Sequence, residues 1–435
     1  MGRVRKGAEP NPFLIYNLFP RIAGAMSGWN VHLERAKDMG FNWLYINPIN
    51  YSGFSGSLYS IKDYYKINPL FLDNSELSEE DQVRQMIAKA HALGLKVMFD
   101  LVINHTAIDC DLTKTHSNWY VIKDKKIQHP QVWEGDKLVT TWGDLAEIDN
   151  ENSPDKEHLW VYWKELITYY LNLGVDGFRC DAAYQVPVEL WAFLIKAANT
   201  KAKALGKKVF FCAETLGCEI EKVIALAEAG FEYTFNSSKW WDLTEPWCLN
   251  QYEKNFKVSK SIAFAESHDT KRLMKELDDN VDAVKLRYLF SVIFSTGTMM
   301  PIGFEYGFVN KVNVVKTMPS DWETTRHDLT AFITSANQLK YKHAIFNEDN
   351  ETCALAYENN KILILKKTSN SRKQTVLIAI NKSLSKHKHL YLNLVHFFGD
   401  LVNVQDVSLD YPLDTIGEIL DYHLRPAQVM ILLKS

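Results

Sequence analysis

A chain of 435 residues is too long for one ordinary core of ~100–200 residues, which excludes a small disulfide scaffold and points to two or three structural units. Apolar residues make up 46% and charged residues 23%, a balance that buries a substantial core and excludes disordered or collagen-like chains. The formal charge of −4 is too small to draw nucleic acid or an anionic membrane through the general field.

The opening MGRVRKGAEPNPF carries basic residues with no apolar run after them. No later stretch reaches the ~18 uninterrupted apolar residues of a membrane helix, so a cytoplasmic protein without a membrane partner is expected. Short β-branched and apolar runs then alternate with longer segments of helical period. Candidate strands are 13–18, 43–48, 96–102, 177–180, 208–212, 232–235, 262–266 and 297–302. Between them, 79–93, 156–173, 188–205, 219–229, 281–294 and 328–341 carry apolar residues at i, i+3, i+4 spacing. Gly40, Gly94, Gly174, Gly206 and Gly230 stand where a helix ends in the left-handed conformation. This β-then-α rhythm predicts an α/β fold, a (β/α)8 TIM barrel. An open doubly wound sheet fits less well, because no Gly-rich phosphate fingerprint follows any strand.

Two segments break the rhythm. The stretch 104–154 is too long for an ordinary βα loop and predicts a small excursion above the barrel. From about 343 the pattern changes to short alternating strands, with hairpin-like Asn359–Asn360 between the first two. The expected organisation is a barrel from 1–104 and 155–342, a small domain B inserted after strand 3 at 105–154, and a C-terminal all-β sandwich domain at 343–435. Cys110, Cys180, Cys212, Cys218, Cys248 and Cys353 lack zinc-like spacing and are expected to be reduced and mostly buried. Cys180 and Cys212 read as small strand residues rather than reactive thiols.

In such a barrel the working residues come from the carboxyl ends of several strands, because the βα loops surround one mouth. The third candidate strand ends in Asp100 and leads to Asn104 and His105; the fourth reaches Arg179 and Asp181; the fifth ends at Glu214; the seventh leads to His268 and Asp269. Asp100 is equally well a structural turn residue. Arg179 and Asp181, two positions apart, face the same side, and the guanidinium keeps the carboxylate ionised for nucleophilic attack. Glu214 follows an apolar run, whose desolvation would favour the protonated form of a general acid. Asp269 then stands where positive charge develops. Two carboxyl groups about a glycosidic bond give retention at ~5–5.5 Å and inversion at ~6.5–9.5 Å.

Asp100-Leu-Val-Ile-Asn104-His105, Gly177-Phe-Arg179-Cys-Asp181, Ala213-Glu214 and Ser267-His268-Asp269, in this order, resemble the four motifs of the α-amylase family, glycoside hydrolase family 13. Gly303-Phe-Glu305-Tyr-Gly307 resembles the stretch after that family's eighth strand. The resemblance implies a retaining enzyme that cleaves α-1,4-glucosidic bonds in α-glucan or malto-oligosaccharide. Asp181 would be the nucleophile of a covalent glycosyl-enzyme, Glu214 the acid/base and Asp269 the transition-state stabiliser. His105, Arg179 and His268 would line the reacting sugar, Tyr59 would stack on it, and Trp240, Trp241 and Trp247 offer further platforms.

The chain also departs from the family. Tyr184 and Gln185 stand where a typical amylase has Lys and His on the leaving-group side, which keeps a glucanotransferase or maltosyltransferase-like enzyme open. The family's calcium ligands would map to Asn104 and to Glu147, the latter in Leu145-Ala-Glu147-Ile where an Asp is usual. The resemblance therefore raises a structural calcium, while the chemistry requires no cofactor. A silent carbohydrate-binding relative is the remaining alternative; such a protein is expected to lose an acid, and this chain keeps all three.

Overall fold

The computed structural model describes residues 12–134, 137–236, 238–240, 249, 252, 258–324 and 327–435. Its eight parallel strands are β1 (Phe13–Leu18), β2 (Trp43–Ile46), β3 (Lys96–Leu101), β4 (Gly177–Cys180), β5 (Phe210–Ala213), β6 (Tyr233–Phe235), β7 (Lys260–Phe264) and β8 (Gly297–Pro301). They are ordered β1-β8-β7-β6-β5-β4-β3-β2 in a closed barrel. The expected strands 208–212 and 262–266 are each shifted by about two residues. At the second, Glu266 leaves the strand to accept the backbone N–H of Leu273. By contacts the chain divides into two compact units, Ile15–Phe235 with Lys311–Thr324, and the remainder.

In the first unit, the helices that follow the strands are α1 (Asn30–Asp38), α2 (Glu79–Ala92), α3 (Lys156–Leu173), α4 (Val188–Ala204) and α5 (Ile220–Glu228). Ser78 caps α2 by accepting the Asp81 N–H at 3.1 Å, and three acidic residues fill its first turn, where the helix dipole favours them. α3 buries Leu159, Trp163, Leu166, Ile167 and Tyr170 along one face and ends at Gly174 with φ 114°. An antiparallel hairpin, Asn50–Ser52 with Ile61–Ile67, interrupts the β-then-α rhythm after β2 and carries Tyr59 in its loop. In the expected excursion, His105–Ala107 pairs with Leu145–Glu147, and the Asn150 amide donates to the Ile103 carbonyl at 2.7 Å. Its two ends are thereby tied together.

Parallel register sets Trp43 beside Lys96, and Gly177 beside both Met98 and Phe210. The Trp43 and Phe210 rings meet edge-on at 5.1 Å, and the Lys96 ammonium lies 5.2 Å and 5.0 Å from their centroids. Gly177 makes room for this layer: a Cβ there would lie 2.9 Å from the Phe210 carbonyl oxygen and 3.2 Å from the Trp43 ring. Gly177→Ala is accordingly expected to destabilise the protein by about 1–3 kcal/mol through overpacking, read as a lower urea midpoint at unchanged m.

In the second unit, α6 (Val281–Phe294) and α7 (Thr330–Lys342) accompany β7 and β8. Two further sheets follow: β9 (Thr352–Leu355), β10 (Ile362–Thr368), β11 (Thr375–Asn381), β15 (Val429–Lys434) and β13 (Val404–Asp406) in that spatial order, and β12 (Lys388–Asn393) with β14 (Ile419–Leu424). Ile364, Leu377, Met430 and Leu432 from the first sheet share a core with Leu390, Leu420 and Leu424 from the second, which makes the expected sandwich. Two buried lysines close the end of α6. Lys367 Nζ donates to the Ile293 and Phe294 carbonyls, and Lys340 Nζ to those of Ser295 and Thr296. Their N–H groups satisfy carbonyls that the helix itself leaves open, while burial lowers both pKa values, that of Lys367 to about 8.

Candidate active site

The first unit gathers three carboxylates around one guanidinium. Arg179 on β4 is in register with Asp100 on β3 and Cys212 on β5. Its Nη1 donates to Asp100 Oδ1 at 2.8 Å, to Asp100 Oδ2 at 2.9 Å and to Asp181 Oδ1 at 2.8 Å. Its Nη2 pairs with Glu214 Oε2 at 2.9 Å. Burial opposes charge on Arg179, but Asp100 and Glu214 outweigh it and hold the guanidinium well above its ordinary pKa. The backbone ladder continues past the strand ends, with the Asp181 N–H on the Leu101 carbonyl and the Glu214 N–H on the Cys180 carbonyl, both at 3.1 Å. Both acids thus stand one residue beyond β4 and β5, at the carboxyl end.

The three carboxylates differ in what remains open to a ligand. Asp100 is fully enclosed, and its Oδ2 also accepts the Tyr45 and Tyr59 hydroxyls at 2.7 Å each. Its acceptor positions are filled by neighbours, which makes it a positioning residue. The side chains of Asp181 and Glu214 remain 14% and 16% exposed. Ala182, between Asp181 and the turn Ala183–Gln185, takes the left-handed φ of 39° and so turns its N–H onto Glu214 Oε2 at 2.8 Å. Glu214 therefore sits among polar partners while remaining largely shielded from water. The preceding apolar residues point into the barrel packing; the carboxyl itself does not.

Tyr59 is fixed by its hydroxyl: it donates to Asp100 and accepts the Asn47 amide at 2.9 Å, and Asn17 in turn donates to Asn47 Oδ1 at 2.8 Å. Burial raises the Tyr45 phenol well above its ordinary pKa, so it remains a hydrogen-bond donor. His105 is buried with Nε2 3.1 Å from the Tyr59 carbonyl, and burial lowers its pKa to about 4. It is therefore neutral at pH 7, with Nε2–H donating. In the unfolded chain it takes up a proton below about pH 6.5. Its contribution thus lowers stability as pH falls from 6.5 towards 4. His105→Gln is expected to flatten the stability-versus-pH curve across that window, by up to roughly 1.4 kcal/mol per pH unit in chemical denaturation.

In the second unit, His268 is buried and its Nε2 lies 3.0 Å from Asp269 Oδ2, while the Asp269 side chain is 59% exposed. The loop that carries them is braced by a buried pair, Arg272 Nη1 to Glu266 Oε1 at 2.7 Å, with Arg272 also donating to the Ile302 and Asn310 carbonyls. Trp240 is 53% exposed and meets Phe264 edge-on. Trp241 and Trp247 lie outside the described residues.

The residues expected to hold calcium offer little to a hard cation, which takes 6–8 oxygens. Asn104 Oδ1 is a buried oxygen without a hydrogen-bond partner, but its amide nitrogen donates to Gln185 Oε1 at 3.0 Å. Glu147 is half-buried, and burial and then Asp149 raise its pKa, which favours a proton. Among the described residues no group of three His, Cys, Asp or Glu stands ready to hold a metal. The donor set does not fit the ion, and no step below runs through one. Tyr45, Asn47 and Asn17 are not among the residues that the sequence singles out, and Asp100, equally well a turn residue there, is resolved by its partners as part of the site. The available signal was register: Asp100 and Arg179 are each the residue before the last of their strands.

Residues 12–204 match the family description "Alpha amylase, catalytic domain". An alpha-1,4-glucan:maltose-1-phosphate maltosyltransferase from Burkholderia pseudomallei (strain K96243) is 22% identical over 395 residues, covering 87% of this chain and 34% of that protein. A cyclomaltodextrinase from Bacillus sp is 22% identical over 418 residues, covering 89% of this chain and 70% of the relative. The chain thus spans about a third of the first relative. The crystal structure of an alpha-amylase from Lactobacillus plantarum superposes with TM-score 0.76 at 21% identity, covering 97% of this chain and 99% of that one. That likeness shows the fold.

Proposed function

Because the chain belongs to the α-amylase family, we propose that it is a retaining enzyme acting on α-1,4-linked glucan or malto-oligosaccharide. The observation that carries this reading is the single guanidinium holding Asp181 on one nitrogen and Glu214 on the other. The two carboxyl groups are bridged by one planar fork and so border one gap; a retaining pair needs ~5–5.5 Å there and an inverting pair ~6.5–9.5 Å, which the anomer of the first product distinguishes. Asp181 attacks the anomeric carbon while Glu214 gives its proton to the departing glycosidic oxygen; the C–O bond breaks and a glycosyl ester forms. Glu214, now a carboxylate, takes a proton from water, whose oxygen displaces Asp181 and restores the original anomeric configuration. Tyr59 offers its ring to the apolar face of the sugar. His105 and Arg179 fix the surroundings of the two acids. The roles of Asp269 as stabiliser of positive charge and of His268 beside it are proposed on the motif in which they stand.

Transfer to a second sugar shares the first half of this reaction. Tyr184 and Gln185 border a cavity of about 540 Å³ that also meets Asn152, Glu189 and Lys222, with room for a leaving or an accepting sugar beside the nucleophile's turn, which keeps transfer as the second reading. Among the described residues no helix is long and apolar enough to cross a membrane. The free thiols of Cys110, Cys180 and Cys212 support a cytosolic setting. Incubation with malto-oligosaccharides, followed by NMR of the first products, is expected to show α-anomers. β-Anomers first would overturn retention, and longer products on adding an acceptor sugar would establish transfer.

A further inference from the structure

The second unit holds a cavity of about 210 Å³ away from the strand-end residues of that unit, between α6, α7, the loop before β14 and the turn joining β14 to β15. Lys285, Phe332, Asp410, Tyr411, Arg425 and Gln428 are on its walls. We propose that it is a second, non-catalytic binding site for one glucosyl unit of an α-glucan chain. The ligand class rests on the function proposed above; the binding site itself rests on the cavity.

Charge argues for a neutral ligand. Lys285 and Arg425 are balanced by Asp282 and Asp410 on the same walls, so neither a phosphate nor a cation is favoured by the net field. Beside the Lys285 ammonium, the Asp282 and Asp410 carboxylates and the Arg425 guanidinium are planar groups that match adjacent hydroxyls two at a time. Tyr411 supplies the apolar surface that a pyranose ring needs. It is 50% exposed, and the Arg425 guanidinium lies 3.9 Å from its ring centroid, fixing the ring's orientation. The cavity lies below the ~300 Å³ at which drug-sized sites begin, which suits a single ring rather than a peptide segment.

The backbone is committed to this arrangement. Tyr411 and Ala427, both on the walls, take left-handed φ values of 53° and 56°, an unfavourable conformation for a residue with a side chain. Gln428 is buried and accepts the Arg425 N–H on Oε1 at 2.8 Å, while its Nε2 donates to the Tyr422 hydroxyl at 3.3 Å. The turn is thus held from beneath, with Arg425 left at the surface against Tyr411. Packing alone explains neither an exposed ring in a strained conformation nor a guanidinium placed over it.

The test is migration of the whole protein through native gels with and without soluble starch, together with kinetics on starch and on a short chromogenic maltoside. Tyr411→Ala and Arg425→Ala, both at exposed side chains, are each expected to weaken starch retardation by roughly three- to tenfold. KM on starch should rise by a similar factor, with kcat and the kinetics on the short maltoside unchanged. Parent-like retardation of both variants, with melting temperatures matching the parent, would overturn the proposal. So would competition by inorganic phosphate, which would mark an anion site. Absence of turnover on every α-glucan would sink the catalytic reading alone, because retardation that depends on Tyr411 is read without turnover.

Discussion

Asp181→Ala is expected to lower kcat by about four to six orders of magnitude while leaving the melting temperature close to that of the parent. The two halves of this expectation have separate causes. Catalysis falls because, among the described residues of the first unit, no other carboxylate is both open and bound to the same Arg179 nitrogen: Asp100 shares Nη1 but its oxygens are filled by Tyr45, Tyr59 and Arg179 itself. Stability holds because Arg179 keeps Asp100 and Glu214 as partners when Asp181 is removed. Azide added to the variant supplies an external nucleophile from the face that Asp181 has vacated, so the rescued glycosyl azide should carry inverted configuration. Azide added to Glu214→Ala should give the retained product instead, since the glycosyl ester on Asp181 still forms. Activity of Asp181→Ala within tenfold of the parent, or the same anomer from both rescues, would remove the assignment.

Arg179 and Asp181 were readable because two positions along a strand return to the same face. Glu214 was located by the apolar run of its strand, but its polar partners were not. The N–H of Ala182 that it accepts comes from a left-handed residue on another strand's turn, and the sequence offers no glycine there to announce that conformation. Asp100 was left balanced between a turn and a working role because its meaning depends on pairing across β3 and β4 and on tyrosines delivered by β2 and by the hairpin 50–67. That hairpin escaped notice because its second strand, Ile61–Ile67, mixes buried and exposed positions without strict alternation, and its register shifts twice. In the C-terminal sheets, β14 (Ile419–Leu424) gives a weak strand signal for a related reason. Only Leu420 and Leu424 of its six residues are buried, so its polar composition conceals two core positions.

The second large effect is expected at Arg179. Arg179→Met replaces a guanidinium that is 5% exposed with an apolar chain of similar length and leaves three carboxylates facing one another. Removing one partner of a buried ionic group costs about 3–5 kcal/mol, because the remaining charges stay desolvated and uncompensated. The sign of the pH dependence gives the sharper test. In the parent, the raised pKa of Arg179 keeps it charged across the accessible range, and its stabilisation is present throughout. In the variant, like charges and burial favour protonation of the carboxylates in the folded state. The folded chain then binds more protons than the unfolded one, and stability falls as pH rises from 5 to 7. Urea unfolding at these two pH values should therefore show the variant closer to the parent at pH 5 than at pH 7. Asp100→Asn placed on the variant should recover part of the loss, since Asp100 is the carboxylate most completely cut off from water. A variant that loses equal stability at both pH values, with no recovery from Asp100→Asn, would show that the cluster is held by packing around it rather than by the guanidinium within it.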